Sequence, residues 1–300
     1  MNHSRRGFIK KTAGLLAGTI FAGKLPAGNF RSSVPVSGHL WIYASKFPAE
    51  SGYDCTPVLE TIFSDFNYAG IDGLELMEAI LRHPDAVQRL MELSAKYKVP
   101  VTGSSYGADM WNKTKSNEIL EDVDLVTGRL HQVGGETFGI SVGNAGHIKT
   151  ENELDVQAGM LKEIWKICNK NQIQPNLHNH TYEVTDNMHD LKGTLARIPG
   201  IALGPDLNWL VRAGVDPVTF IHGYGHQMVY MHIRDQKADG KWTEVVGEGV
   251  IDFPAISTAL QEANFKGRAA IELAFDSPPV HPVRDDWKNS RIYVKKTFGW

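Results

Sequence analysis

The amino-acid sequence predicts an α/β fold, a (β/α)8 TIM barrel made of a single domain. Short apolar runs alternate with stretches of helical periodicity along the chain, which is the pattern of parallel strands joined by crossover helices. The 300 residues match the usual length of such a barrel. An open doubly wound sheet is the alternative, but no glycine-rich phosphate loop follows the first predicted strand.

The first half of the chain supplies four strand–helix units. Each predicted strand is a short apolar run, and the helices repeat apolar residues at a spacing of three or four. Gly70 ends the first helix, and a glycine- and serine-rich turn follows the third strand. The predicted strands are 38–44, 71–77, 99–103 and 136–142, and the predicted helices are 57–69, 83–98, 117–133 and 152–171.

The second half repeats the same alternation. A short helix is expected to start at Asp216 with proline in its first turn, and Asp252 is the expected N-cap of a later helix. The predicted strands are 173–180, 201–206, 228–233 and 269–273, and the other predicted helices are 188–198, 252–263 and 287–297.

Composition places the chain among ordinary globular proteins and argues against a nucleic-acid partner. The hydrophobic fraction is 42% and the charged fraction is 22%. A formal net charge of -3 provides no basic field that would steer the protein to nucleic acid. Cys55 and Cys168 lie far apart without a C-x-x-C spacing, so they indicate neither a disulfide framework nor a zinc ribbon.

Residues 1–33 are interpreted as a twin-arginine signal peptide with a short leader, and residues 34–300 as the barrel. Residues 4–10 read S-R-R-G-F-I-K, and a weakly hydrophobic run at 13–23 follows them. That run is too short to span a membrane, so we expect no stable membrane span in the mature protein. The motif resembles bacterial Tat signals, which implies export of the folded protein to the periplasm by the Tat machinery, with cleavage between residues 22 and 33.

Four successive strands predicted in the second half end in a group that can bind a metal or move a proton. These groups are His178, Asp206, His232 and Glu272. Because the carboxyl ends of all strands lie at one face of a closed parallel barrel, we expect the four side chains to meet. Two imidazoles with two carboxylates favour Mn²⁺, Co²⁺, Zn²⁺ or Fe²⁺ over Mg²⁺. The sequence therefore predicts a bound divalent metal ion of unspecified identity.

The order of motifs here resembles that of the xylose isomerase-like TIM barrel family, which includes sugar phosphate isomerases and epimerases, inosose dehydratase and endonuclease IV relatives. The motifs are H-N-H-x-x-E from His178, D-x-x-W from Asp206, H-x-R-D from His232, G-E-G-x-x-D-F from Gly247, and an x-I-E sequence that ends at Glu272. The resemblance implies that Asp206, His232 and Glu272 are metal ligands.

The resemblance also implies where a substrate binds. Glu75 and Glu248 match pocket-lining positions of the family. Trp209 and Trp111 are candidates for the aromatic floor of a sugar pocket. Arg234, two residues beyond the histidine of its motif, is expected to point the same way as that histidine. We expect these five residues to contact a carbohydrate.

Proton removal from the carbon α to a carbonyl, with the metal stabilising the enediolate, is the predicted chemistry. Glu272, His180 and Glu183 are the candidate groups for proton transfer. Ketose 3-epimerases of the family use two glutamates, whereas this chain has His178 at the position of one of them. If the proton returns to a carbon of the substrate, the enzyme is a sugar isomerase or epimerase. Departure of a leaving group gives a lyase or dehydratase acting on a 3-keto-glycoside or another keto-sugar.

Two other functions, a sugar-binding protein and a nuclease, explain these residues less well. A non-catalytic periplasmic sugar-binding protein would have no need of Asp206, His232 and Glu272 together. A nuclease similar to endonuclease IV would need more metal-binding groups at the first four strand ends and a basic face. The expected partners are a small-molecule carbohydrate and the Tat machinery, and a homo-oligomer is compatible with the sequence.

Overall fold

The computed structural model describes residues 34–300, in which seven parallel strands are surrounded by helices. The strands are β1 (Val36–His39), β2 (Gly73–Met77), β3 (Val101–Gly107), β4 (Thr137–Ser141), β5 (Gln174–Leu177), β6 (Tyr230–Ile233) and β7 (Arg268–Glu272). The helices are α1 (Trp41–Ala44), α2 (Leu59–Ala69), α3 (Glu78–Leu81), α4 (Ala86–Tyr97), α5 (Ser116–Gln132), α6 (Glu151–Lys170), α7 (Thr181–Arg197), α8 (Leu207–Arg212), α9 (Pro217–Tyr224), α10 (Phe253–Glu262) and α11 (Val283–Phe298). The twin-arginine motif lies outside the described residues.

The strands form one parallel sheet in the order β5-β4-β3-β2-β1-β7-β6, and its two edges meet through the segment around Leu203. Leu203 pairs in parallel with Leu177 of β5 and with Met228, just before β6. The Gly204 N–H donates to the Leu177 carbonyl at 2.9 Å, and the Leu203 N–H donates to the Gln227 carbonyl at 2.9 Å. The predicted single-domain (β/α)8 barrel is confirmed in a nearly closed form.

The segment predicted as the sixth strand, 201–206, contributes isolated bridges instead of a regular strand. Pro205 has no backbone N–H with which to continue a ladder. Asp206 is already the N-cap of α8, so the chain turns into a helix at that point. The barrel therefore has seven strands and one bridging segment in place of the eight predicted strands.

The strand predicted over 38–44 is wrong from residue 40 onward. β1 ends at His39, and α1 occupies the apolar residues that follow, three of its four side chains being buried. A short apolar run fits a buried strand and a buried helix equally well, so periodicity could not separate them. As a consequence, His39 lies at the carboxyl end of the first strand.

The chain turns into α7 earlier than predicted. α7 begins at Thr181, because His180 and Glu183 form a capping box in which the His180 N–H donates to Glu183 Oε2 at 2.6 Å. Non-helical backbone over 185–188 divides α7, and three of those residues have positive φ. The predicted helix over 188–198 corresponds to the part of α7 beyond this kink.

The other predicted elements differ from the structure mainly at their ends; β3, for example, extends four residues beyond the predicted end at 103. Phe66 of α2 packs edge-on against Trp287 of α11 with ring centroids 4.7 Å apart, so the last helix covers the first long one. Cys55 and Cys168 are buried free thiols. Among the described residues, the helices are too short or too polar to cross a membrane.

Candidate active site

The carboxyl ends of the strands surround a cavity of about 540 Å³, a volume typical of small-molecule sites. Histidines, hydroxyl groups, charged groups and aromatic rings share its wall. The wall includes His39, Trp41, Tyr53, Glu78, Ser105, Ser141, His178, His180, Trp209, His232, Arg234, Trp242 and Glu272.

Three of the four predicted metal ligands form one cluster beside this cavity. His178, Asp206 and His232 each offer one ligand atom, and these atoms lie within 4.8 Å of one another. The backbones of Asp206 and His232 are joined by a parallel bridge, which brings their side chains to the same barrel end. His178 follows the last residue of β5 and faces them, its ring centroid 4.7 Å from that of His232.

One carboxylate oxygen of Asp206 caps helix α8, and the other is available to the cluster. Its Oδ1 accepts the backbone N–H groups of Asn208 at 2.9 Å and Trp209 at 3.2 Å, and so caps α8. Its Oδ2 is buried and has no hydrogen-bond partner among residues 34–300. A buried carboxylate oxygen is costly unless a positive group lies beside it, and Arg234 Nε, 3.1 Å away, is such a group.

His232 lies between two glutamates. Its Nε2 is 2.8 Å from Glu75 Oε2, and its Nδ1 is 2.9 Å from Glu272 Oε2. Glu75 also accepts a hydrogen bond from the Tyr230 hydroxyl at 2.9 Å. Burial raises the pKa of Glu75, but its charge interaction and hydrogen bond with His232 outweigh burial and hold that pKa below its ordinary value. A metal-binding histidine usually donates a hydrogen bond from its other ring nitrogen to a carboxylate, which orients the ring.

Arg234 balances negative charge in the site. Its Nε lies 3.1 Å from Asp206 Oδ2, and a terminal nitrogen forms an ion pair with Glu272. The guanidinium carbon is 5.3 Å from the Trp209 ring centroid and 4.9 Å from that of Trp242. Burial lowers the pKa of Arg234, but arginine keeps its charge throughout the neutral range. Arg234 and Trp209, both predicted to bind substrate, therefore meet at the cavity wall.

Three further imidazoles of the site are uncharged at neutral pH. Burial lowers the pKa of His39 to about 3 and the pKa of His180 to about 4. Burial also lowers the pKa of His178 well below its ordinary value. A neutral imidazole carries the lone pair that a metal ligand or a general base needs.

His39 and Trp242 are site residues that the sequence did not reveal. His39 Nε2 lies 3.0 Å from Ser105 Oγ, and His39 Nδ1 lies 3.5 Å from Glu272 Oε1. The strand predicted over 38–44 placed His39 near its beginning, whereas His39 is the last residue of β1, so the sequence offered no reason to expect its side chain at the carboxyl end of the barrel. Trp242 lies on a loop with no periodic pattern, joined to Gln236 by an isolated bridge, so its sequence context carried no signal.

Glu75 and Glu183 lie behind the cavity wall. Glu75 contacts the cluster through His232 and is 1% exposed. Glu183 accepts a hydrogen bond from Ser141 Oγ at 2.6 Å, and Ser141 lines the cavity. Burial raises the pKa of Glu183 to about 8. Both glutamates are thus placed to support residues of the wall.

Glu248 and Trp111, both predicted to bind substrate, lie outside the cavity wall. Glu248 is exposed on the loop after β6. Trp111 packs edge-on against His147 with ring centroids 6.1 Å apart. Neither belongs to the described residues that line the cavity.

The donor atoms fit a divalent ion. Asp206 Oδ2 and His232 Nδ1 are both buried and form no well-aligned hydrogen bond in the described part of the chain, although Arg234 Nε lies 3.1 Å from the former and Glu272 Oε2 2.9 Å from the latter. His178 adds a neutral imidazole, and nitrogen with carboxylate donors suits Zn²⁺, Mn²⁺, Co²⁺ or Fe²⁺. Glu272, the fourth predicted ligand, lies between His232 and Arg234, next to the cluster.

The chain belongs to the xylose isomerase-like TIM barrel family, which it matches over residues 64–296. Among curated proteins it is similar to inosose dehydratase of Clostridium beijerinckii, with 21% identity over 272 residues that cover 80% of this chain and 90% of the relative. Inosose dehydratase of Lacticaseibacillus casei is 23% identical over 270 residues, covering 80% of this chain and 90% of the relative.

Solved structures of sugar epimerases share the fold. D-allulose 3-epimerase from Methylomonas sp. has a TM-score of 0.72 and 14% identity, with 88% of this chain and 98% of that chain covered. The 3-keto-D-glucoside 4-epimerase from E. coli has a TM-score of 0.64 and 13% identity, with 88% and 100% covered. At these identities the likeness concerns the fold, and the reaction has to be argued from the site.

Proposed function

We propose that the protein is a metal-assisted enzyme that removes the proton α to a carbonyl group of a carbohydrate. The observation that carries this proposal is the cluster of His178, Asp206 and His232, whose ligand atoms lie within 4.8 Å of one another, with Glu272 Oε2 2.9 Å from His232. The relatives, which are named as sugar epimerases and inosose dehydratases, support a carbohydrate substrate.

A divalent ion held by these residues would act as a Lewis acid on the substrate carbonyl. The chain itself supplies the base. Glu272 lines the cavity and forms an ion pair with Arg234. The neutral rings of His39 and His180 line the same cavity and can exchange hydrogen bonds with sugar hydroxyl groups.

Aromatic rings in the cavity wall support a cyclic substrate. Trp41, Tyr53, Trp209 and Trp242 all line the cavity. The apolar C–H face of a sugar ring can pack against such rings, while its hydroxyl groups reach the polar side chains. A 3-keto-glycoside, an inosose or another cyclic keto-sugar has both this face and a carbonyl that acidifies the neighbouring C–H bond.

Isomerisation or epimerisation is the first candidate reaction. Glu272 takes the proton from the carbon next to the carbonyl, and the C–H electron pair moves into the enediolate of the substrate. Return of the proton to the neighbouring carbon gives isomerisation. Return to the opposite face gives epimerisation and needs a second proton carrier. His180 in the cavity wall is the candidate, and because burial lowers its pKa to about 4 it must take up a proton from solvent before it delivers that proton to the carbon.

Elimination is the second candidate reaction, and one observation favours it. Two glutamates line the cavity: Glu272 contacts His232 of the cluster, whereas Glu78 is paired with Arg82, 3.7 Å away. Glu75 and Glu183 are buried behind the wall. In elimination Glu272 takes the α-proton, the bond to the β-oxygen breaks as the C=C bond forms, and the leaving oxygen takes that proton. A single carboxylate is enough for these steps, which make up the reaction of a lyase or dehydratase.

Deuterium exchange tests the proposal. The tag-free, metal-loaded protein is incubated in D2O with a 3-keto-glycoside, an inosose and a free ketose, and each mixture is followed by NMR. We expect deuterium at the carbon next to the carbonyl of at least one substrate, and the product then separates isomerisation from elimination. Saturable sugar binding without exchange would instead identify a binding protein.

Two variants test the assignment of the site. We expect Glu272→Gln and His232→Ala to lower the exchange rate at least about 100-fold, because each removes a group that acts on the reacting carbon or holds the metal. Glu262→Gln, which alters a surface carboxylate 3.1 Å from the exposed His222, is the matched control and should leave exchange unchanged. Full exchange in both site variants would show that the reaction takes place elsewhere.

We also propose that the protein is exported by the Tat pathway. The support is the S-R-R-G-F-I-K motif over residues 4–10, which lie outside the described part of the structure. Replacement of Arg5 and Arg6 by lysine should move the protein from the periplasmic to the cytoplasmic fraction, whereas Lys11→Arg should leave its distribution unchanged. An unchanged distribution of the double variant would contradict export by this route.

A further inference from the structure

We propose a second divalent-cation site, formed by Glu244, His281 and Asp286 and separate from the cluster around His232. Each of these residues offers one ligand atom, and the three atoms lie within 4.8 Å of one another. Glu244 lies on the loop after β6, His281 on the loop after β7, and Asp286 in the first turn of α11. The site therefore joins three segments at the carboxyl end of the barrel.

Asp286 is the observation that points to a cation. Its side chain is 0% exposed, and both of its carboxylate oxygens lack a hydrogen-bond partner among the described residues. A buried carboxylate without partners is too costly to persist unless it is protonated or bound to a positive group. Asp286 Oδ1 faces His281, whose Nδ1 lies 3.8 Å away.

The charge around Asp286 is unbalanced. Glu244, Glu248 and Asp285 all act on its carboxyl group as negative neighbours, and His281 is a basic group beside it. The His281 side chain is 66% exposed, so solvent screens its interaction with the carboxylates. A divalent cation would neutralise this group of carboxylates. Glu248, which the sequence places in the substrate pocket, adds its negative charge to the surroundings of Asp286.

The spacing of the ligand atoms suits a transition metal. His281 Nδ1 lies 3.6 Å from Glu244 Oε2 and 3.8 Å from Asp286 Oδ1. Two atoms that each lie about 2.1 Å from a tetrahedral zinc ion are roughly 3.4 Å apart, so each of these two distances needs to close by only a few tenths of an ångström. One imidazole with two carboxylates suits Zn²⁺, Mn²⁺ or Co²⁺, and the exposed side of His281 leaves room for water ligands.

The site would hold the rim of the cavity together. Glu244 lies two residues after Trp242, which lines the cavity. The Trp242 N–H already donates to Asp276 Oδ2 at 2.7 Å, which links the loop after β6 with the loop after β7. Glu244 accepts the Val280 N–H at 3.0 Å across the same two loops. A cation at this point would reinforce both contacts.

Zinc stoichiometry tests this site. The tag-free protein is stripped with EDTA, titrated with Zn²⁺ and analysed for bound zinc by mass spectrometry of the metal. We expect His281→Ala and Asp286→Asn each to lose one zinc equivalent per chain, or to bind it at least about tenfold more weakly. His222→Ala removes another exposed, carboxylate-paired histidine and should bind as much zinc as the unmodified protein.

A variant that lacks a ligand of the proposed active site allows zinc binding at the two sites to be distinguished. In a His232→Ala protein, which lacks the ligand at the proposed active site, the equivalent that depends on His281 should persist. A zinc-induced rise in Tm in that background, lost on adding His281→Ala, would support the second site. Equal zinc binding in the His281→Ala, Asp286→Asn and unmodified proteins would overturn it, and would identify Asp286 as a protonated buried acid.

Discussion

At the scale of single residues, His232 is oriented by a group distant in sequence. Glu75, 157 residues earlier, lies 2.8 Å from its Nε2 and is buried with it. Tyr230, on the same strand, donates to the same carboxylate at 2.9 Å. A carboxylate behind a metal-binding imidazole fixes its orientation and raises its basicity. Glu75 was predicted as a substrate contact, and its surroundings favour a supporting role.

Replacing Glu75 by glutamine tests that role. Glu75→Gln keeps the size of the side chain but removes its charge, so we expect Zn²⁺ or Mn²⁺ affinity to fall about 10- to 100-fold. Isothermal titration of the metal-free protein measures this, with Glu262→Gln as the control for loss of a carboxylate beside a histidine. Unchanged metal affinity together with a raised KM would return Glu75 to a substrate-binding role.

At the scale of elements, the segment over 201–206 closes the barrel without a regular strand. Gly204 lies so close to Asn176 of β5 that a Cβ atom would overlap the Asn176 carboxamide oxygen. The same Cβ atom would lie 3.1 Å from Tyr230 Cβ on β6. Only glycine lets the segment lie between β5 and β6, and this position leads directly to Asp206 of the metal cluster.

Gly204→Ala should therefore destabilise the barrel by about 1–3 kcal/mol, since a methyl group is forced into a filled space. Urea unfolding followed by circular dichroism measures the change. Gly223→Ala is the control, because a Cβ atom there, inside α9, meets nothing within 4 Å. It should be neutral or should stabilise the protein by up to about 1 kcal/mol. Equal stability of the two variants would contradict the tight closure at Gly204.

At the scale of the whole molecule, the barrel buries several imidazoles in their neutral form. The pKa of His39 is lowered by burial from 6.5 to about 3, and the pKa of His180 from 6.5 to about 4. As the pH falls through about 6.5, the unfolded chain takes up protons at these positions and the folded chain does not. The unfolded state then binds more protons, so stability falls with decreasing pH across this window.

We expect the free energy of unfolding of the metal-free protein to decrease steadily from about pH 7 to about pH 4.5. Urea unfolding at several pH values measures the slope. His39→Gln should reduce the slope because it removes one buried titrating ring, whereas His222→Gln, at an exposed histidine, should not. A free energy of unfolding that does not change with pH, or the same slope in His39→Gln as in the unmodified protein, would contradict the neutral burial of His39.

The sequence by itself determined the barrel and the meeting of three of the four proposed metal ligands. Strand and helix periods are local properties, so the alternation of apolar runs and amphipathic stretches predicted the fold. Parallel topology sends every strand end to one face, so His178, Asp206 and His232 could be expected to meet before any contact was known. Element ends were less predictable, as His39 shows, because a short apolar run does not distinguish a strand from a helix.

Only the tertiary structure decided which groups touch. It placed Glu75 behind His232, Arg234 between Asp206 and Glu272, and Glu248 near Asp286 instead of in the cavity wall. These contacts join residues far apart in the chain, and they depend on strand register and on the paths of the loops. Neither register nor loop path follows from local periodicity, so the charge balance of the site could be read only from the folded barrel.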